Sequence, residues 1–289
     1  SELKWGTRQR DKLLTKQFLE QLCLQIRAEA AYEGISSIDW SYSVPTSFSR
    51  KQERDVSGIW LEDLTDGKAT KQTESHSAAA FFQEEERAAM VRGAVCIDIG
   101  GFSSDIAVWK DQRMRLQSSL RLASRQIFLE TVAALPERFE RLFGESPSMD
   151  LKDLEIFLTS RQGEELMESL RTAGGTPEVR LLGKYIALGV SGLLYYAGLL
   201  VRHLIEQQEQ AGTDENWTLP YVCIGGNGAK MLYWLGSGRF DEGSLANELF
   251  EDVFREATGL EEGSFRLAVT PPEKMKHEVG TGLVMQPRS

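Results

Sequence analysis

The first pattern along the chain is helical. Over residues 7–32 the apolar side chains Leu13, Leu14, Phe18, Leu22, Cys23 and Ile26 recur on one face, which predicts an amphipathic helix. Past Gly34, "IDWSYSV" alternates and is rich in aromatic and β-branched residues, the mark of a strand that Pro45 ends. "SFSRKQERDVSGIWLEDL" offers Ser49 as an N-cap and keeps helical spacing to about Leu64. "ATKQTES" reads as a short strand and turn, and "SAAAFFQEEERAAMV" as a helix.

From Gly93 the period falls to two. "AVCIDIG", "SSDIAVW" and "MRLQSSLRL" predict three consecutive strands with short turns, a β-meander. Residues 126–182 are helical and charged, broken by Pro136, Pro147 and "TAGGTPE". A long apolar helix follows over about 182–209, then the strand "LPYVCIGG" and a helix from Ala229. "PPEKMKHEVGTGLVM" predicts a turn into a helix of small residues.

Composition narrows the function classes. The 289 residues suffice for two cores, and 41% hydrophobic with 26% charged residues describes a folding chain. The apolar run "YIALGVSGLLYYAGLLV" falls short of the roughly 18 residues that span a bilayer. A buried helix is expected there, with Tyr195 and Tyr196 packed in the core and no membrane partner. A net charge of -10 repels phosphate backbones, so no nucleic-acid partner is expected. Cys23, Cys96 and Cys223 are odd in number and widely spaced, which suits reduced core thiols in a cytoplasmic protein. His76, His203 and His277 lack metal-ligand spacing and read as surface or packed residues.

Two glycine-bearing turns hold the candidate chemistry. In "VCIDIGGFSSDIAVW", Asp98 lies inside an apolar strand, where a carboxylate costs free energy unless it has a partner. Gly100 and Gly101 let backbone N–H groups approach an anion, Ser103 and Ser104 add hydroxyls, and Asp98 is placed to hold Mg²⁺ through water. An ordinary hairpin also needs glycine at its tip, so both readings stay open on these residues. In "YVCIGGNGAKMLYWL" a strand ends in Gly225, Gly226, Asn227 and Gly228, a flat backbone for a ligand or for a neighbouring element. It is no Rossmann fingerprint, since Met231 stands where a third glycine belongs, and no P-loop.

Taken in order, these stretches resemble the actin-like ATPase superfamily of actin, seventy-kilodalton heat-shock chaperones, bacterial actin homologues and sugar kinases. "CIDIGGFSSDIAVW" resembles its second phosphate motif, with Asp98, Gly100, Ser103 and Asp105 on the pattern. "VPTSFSRKQERDV" and "ESHSAAAFF" resemble the Val-Pro-x-x-Phe segment and first connecting helix of the chaperone-like branch. "CIGGNGAKM" resembles the adenosine motif, "HEVGTGLVM" the second connecting helix with Gly282 at a helix crossing, and "SLRLASRQIF" the segment entering the upper helical subdomain.

The resemblance implies a ribonuclease H-like, actin-type α/β fold: a partial first lobe over 1–92, a second lobe over 93–272 with a helical insertion at about 126–182, and a connecting helix returning over 273–289. It implies an ATP or ADP site with Mg²⁺, water as acceptor, and a protein partner or self-association. Asp98 would hold the metal or its waters, Glu74 would orient the attacking water, and Gly100, Gly101 and Ser103 would hold the β-phosphate. Gly225, Gly226 and Asn227 would meet the adenosine, while Asp105 braces the hairpin.

Phe102 stands where the family has a small residue, and Ser75 where it has proline. The first phosphate motif has no counterpart, so hydrolysis is expected only with that part present, and "IDWSYSV" is expected to offer an uncovered edge for association. A degenerate module acting through protein contacts is the alternative, and a small-molecule kinase a third.

Overall fold

The structure, a computed structural model, describes residues 9–85, 93–134 other than 112, 177–212, 221–235, 244–261 and 266–269, with the single residues 137 and 165. Most of the helical segment over 126–182, and the final helix with His277 and Gly282, lie outside the described residues.

Two short strands buried on both faces and a third, partly exposed one build the meander over residues 94–120. β3 (Ala94–Ile99) and β4 (Ser104–Lys110) pair antiparallel, and β4 pairs antiparallel with β5 (Arg113–Leu120). On its other side β3 pairs in parallel with β6 (Tyr221–Gly225), and β6 with β7 (Leu267–Val269). The order is β5-β4-β3-β6-β7, a meander followed by two parallel strands added beside its first strand.

The two faces of β3 and β4 meet different helices. Val95, Ile97, Ile99, Ile106 and Val108 join Leu182, Ile186, Leu193 and Leu194 of α5 (Pro177–Gln210) and Phe250 and Phe254 of α6 (Leu245–Thr258) in one core. Each such fully buried side chain contributes about 1.5–3 kcal/mol. Ala94, Cys96, Ala107 and Trp109 face the other way, onto Ala78, Ala79, Phe81 and Phe82 of α3 (Glu74–Glu85). α5 has the length and composition of a membrane span, yet its face from Leu182 to Val201 lies in the core.

Upstream, α1 (Gln9–Tyr32), β1 (Ser41–Val44), α2 (Arg50–Gly58), a π-helical turn (Ile59–Leu64) and β2 (Thr70–Thr73) lead into α3. β1 and β2 pair in parallel, so this half repeats the helix–strand–helix–strand order of α5, β6, α6 and β7. Ser49 forms the expected cap as a full capping box with Gln52. Trp60 stacks on Tyr42, ring centroids 5.2 Å apart, and Arg27 donates to the Leu64 carbonyl at 2.6 Å. α1 itself buries Cys23 and Ala30 and turns Leu13, Phe18 and Leu24 outward, each more than half exposed.

Three local readings are corrected. α3 starts at Glu74 rather than Ser77, because the Thr73 hydroxyl accepts from the His76 amide at 3.2 Å and caps the helix earlier. The helix read from Ala229 is a 3-10 helix that already begins at Asn227. Tyr195 is 46% exposed, whereas Tyr196 reaches Ser118 with its hydroxyl at 3.0 Å. Adjacent helical residues point about 100° apart, so this side of α5 takes only one of them inward. All three cysteines are free and buried, as expected.

Candidate functional site

Asp98 sits one residue from the end of β3, directly opposite Asp105 of β4 and beside Gly225 of β6. With Cys96 and Ala107 two residues back along β3 and β4, both aspartates fall on the sheet face that carries α3. Asp98 is half-buried and Asp105 buried. Two carboxyl groups therefore face each other across the ladder, a pairing that costs free energy where both are charged.

The hairpin tip spends its carbonyls. Gly100 N–H donates to the Ser103 carbonyl at 2.9 Å and closes the turn. The Gly100 carbonyl accepts from the Ser124 amide at 3.2 Å and from its hydroxyl at 3.1 Å, and the Gly101 carbonyl from the Arg125 amide at 3.0 Å. Ser104 adds a bond from its hydroxyl to the Leu122 carbonyl at 2.6 Å. Among the described residues, the N–H groups of Gly101, Phe102 and Ser103 donate to no backbone carbonyl. Amides of this kind at a turn are donors that an anion can meet.

The second glycine turn packs on the first. Gly226 has φ +89°, and a Cβ built there would lie 2.1 Å from Asp98 Oδ1 and 2.5 Å from the Ile99 carbonyl oxygen. At Gly228 it would lie 2.3 Å from the Gly100 carbonyl oxygen. Close packing of β6 on the end of β3 therefore accounts for glycine at 226 and 228. Gly225 is buried too, while Asn227 is exposed and opens the 3-10 helix.

The structure thus brings Asp98, Gly100, Gly101, Ser103, Gly225 and Gly226 together. Glu74 stands apart from them, half-buried at the first position of α3. Its neighbours fix it to β5: the hydroxyls of Thr73 and Ser75 both donate to Gln117 Oε1, at 2.9 and 3.0 Å, and Thr46 meets Ser75 at 3.0 Å. Gln117 pairs with Ala107, so Glu74 enters on the same sheet face as Asp98, with one strand, β4, between β5 and β3 and about 10 Å of sheet width from one to the other. Ser75, where the resembled family has proline, is the hydroxyl that joins these segments.

Arg125 escaped the sequence reading. Its guanidinium carbon lies 4.5 Å from the centroid of the Phe102 ring, a partner 23 positions away that local spacing does not reveal. The π-helical turn Arg125–Leu129 that carries it seats Ile127 on α5 at Gly189, where a Cβ would come within 2.6 Å of the Ile127 side chain.

Among the described residues no group of three or more His, Cys, Asp and Glu side chains is placed to hold a metal. The donors at the hairpin suit a hard cation that shares oxygen ligands with phosphate: one carboxylate, with turn amides beside it.

No protein-family model matches the chain, and no curated protein matches it. Among solved structures it is similar to a ROK family transcriptional regulator, a homologue of the E. coli MLC protein, at 13% identity and a TM-score of 0.51, over 93% of this chain and 68% of that one. It is also similar to an archaeal actin homologue in complex with ADP, at 15% identity and a TM-score of 0.49 over 90% and 75% of the two chains. The ethanolamine utilization protein EutJ from Carboxydothermus hydrogenoformans follows at 14% identity and a TM-score of 0.47, over 94% and 74%. At these identities the likeness is one of fold. The meander-plus-two-strand sheet, its helices and the regulator's match agree: the chain has the ribonuclease H-like fold of actin-type ATPases.

Proposed function

We propose that this chain binds an adenine nucleotide at the β3–β4 hairpin and acts as the nucleotide module of an actin-type ATPase of the chaperone-like kind. The observation that carries the reading is the run of three N–H groups at Gly101, Phe102 and Ser103 beside the Asp98 carboxylate. Those amides would take the β-phosphate, with the Ser103 hydroxyl as a further donor, and Asp98 would hold Mg²⁺ directly or through water. A bound Mg²⁺ supplies charge neutralisation between the β- and γ-phosphates.

Glu74 would orient a water in line with the γ-phosphate, so that the bond to the β–γ bridging oxygen breaks as water attacks and ADP and phosphate leave. A first lobe over 1–92 would close on a second over 93–272, with 273–289 returning between them, and Glu74, its neighbours tied to β5, would face the γ-phosphate across the sheet face it shares with Asp98. Adenosine would lie on the outer side of the Gly225–Gly226 turn near Asn227, since the inner side is filled by Asp98 and Ile99.

Thermal melting with and without MgADP tests binding, and phosphate release by the wild type and Glu74→Gln, each with the first phosphate motif supplied upstream, tests turnover. Stabilisation by MgADP, with release that falls in the variant, is the expected result. No shift with MgADP contradicts the reading.

The outward Leu13, Phe18 and Leu24 of α1 favour a second reading, a module that acts through self-association. There the second copy covers α1, and the molar mass in solution rises with concentration without nucleotide. A mass that stays monomeric at all concentrations removes that reading.

A further inference from the structure

We propose that the outer face of α5, along Tyr185, Leu188, Gly192, Tyr195 and Leu199, is an interaction surface that pairs antiparallel with the same face of a second copy of this chain. The inference stands apart from the nucleotide reading, and it names a different surface from the outward side chains of α1.

Spacing and exposure single out this face. The five positions stand three, four, three and four residues apart, the a and d seam of a coiled coil. Leu188 is 70% exposed, Tyr195 46%, Leu199 40% and Tyr185 39%. At about 100° per residue the seam points away from the side that buries Ile186, Val190, Leu193 and Ala197. α5 thus carries an apolar stripe on each side, one in the core and one facing water.

The middle of the seam is a glycine that the fold of one chain does not require. Glycine inside a helix costs about 1 kcal/mol relative to alanine. At Gly189 and Gly198 packing demands it, since a Cβ would lie 2.6 Å from the Ile127 side chain and 2.5 Å from Ala257 Cβ. At Gly192 the nearest atom, Leu122 Cδ2, would stand 3.8 Å from a Cβ, an ordinary contact. A bare backbone there lets a second helix come close, as seam packing of helices needs.

The seam is complementary to itself. Tyr185 and Leu199 lie seven residues to either side of Gly192, so a twofold axis at Gly192 sets each against the other on the second copy and brings Leu188 beside Tyr195. Charge selects the direction. Arg180 and Lys184 flank the start of the seam, and Glu206 and Glu209 its end, all exposed. Antiparallel pairing puts unlike charges side by side and opposes the two helix dipoles, whereas parallel pairing puts like beside like. The seam runs about 21 Å, small for a permanent interface, so the pair forms and dissociates with concentration.

The test uses the full chain. Sedimentation over a concentration series gives the molar mass of the wild type, Leu188→Glu and Phe18→Glu, with melting temperatures alongside. In parallel, Tyr185→Cys chains are mixed with Leu199→Cys chains and treated with a short bifunctional maleimide, to which the buried native cysteines are closed. The wild type is expected to rise from one chain toward two, and Leu188→Glu to pair at least about tenfold more weakly, since pairing would bury its charge. Mass spectrometry is expected to find a link from position 185 to position 199. A wild type that stays monomeric overturns the proposal, as does a Leu188→Glu variant that pairs like the wild type. Pairing lost only in Phe18→Glu, with no link between 185 and 199, overturns it in favour of α1. Should Leu188→Glu melt early, the link decides: its presence supports the seam and its absence from a pairing mixture overturns it.

Discussion

Gly226 is pressed against the carboxylate of Asp98: a Cβ at this position would lie 2.1 Å from Asp98 Oδ1, and the residue has φ +89°. Two costs add for any other side chain, left-handed strain and displacement of the end of β3. Gly226→Ala is expected to lose about 2–4 kcal/mol of stability and, in calorimetry, to weaken nucleotide through the displaced carboxylate. Denaturant unfolding measures the first effect. An alanine variant as stable as the wild type contradicts this packing.

Ser75 gives a smaller, local expectation. Its hydroxyl donates to Gln117 and meets Thr46 and Thr73, and the side chain is buried. Ser75→Ala removes this junction while Thr73 still serves Gln117, so a loss of about 1 kcal/mol is expected. With the first phosphate motif supplied upstream, phosphate release should fall further than this loss of stability explains, because the same junction fixes the start of α3 at Glu74. Unchanged release in Ser75→Ala separates Glu74 from its support.

His76 sets a pH dependence. It packs edge-on to Trp109 with ring centroids 5.6 Å apart, and burial lowers its pKa. The folded chain therefore resists a proton that the unfolded chain accepts. This contribution is whole above about pH 6.5, the ordinary histidine value, and is lost as pH falls toward the lowered folded value. His76→Gln should flatten the fall in melting temperature over that interval, and a slope equal to that of the wild type contradicts the assignment.

Cys96 and Cys223 stand in register on neighbouring parallel strands, both buried. Burial raises the Cys96 thiol pKa first, and the Cys223 thiol adds to it. Thiolate is the reactive form, so alkylation of the native chain should leave both unlabelled while the denatured chain takes label at all three cysteines. Mass spectrometry reads the difference, and rapid native labelling at either site contradicts the buried register.

The β3–β4 hairpin was legible because period two is a local signal and glycine marks the tip. So was the core face of α5, through its apolar spacing. The side of the second glycine turn that is filled was not legible, because β3 and β6 meet from 127 positions apart by long-range pairing. Arg125 was hidden for the same reason: at the start of a helical turn it reads as an ordinary surface charge, and only the fold brings it to Phe102. Tyr195 was misplaced because hydropathy gives a segment its burial but not which of two adjacent tyrosines turns inward.

The central claim is that the hairpin is a phosphate site organised by Asp98. Calorimetric titration with MgADP of the wild type and Asp98→Ala tests it most directly. The account predicts magnesium-dependent binding by the wild type and affinity at least about tenfold weaker in the variant, the scale of one charged contact. Equal binding by the two chains, or none by the wild type, contradicts it.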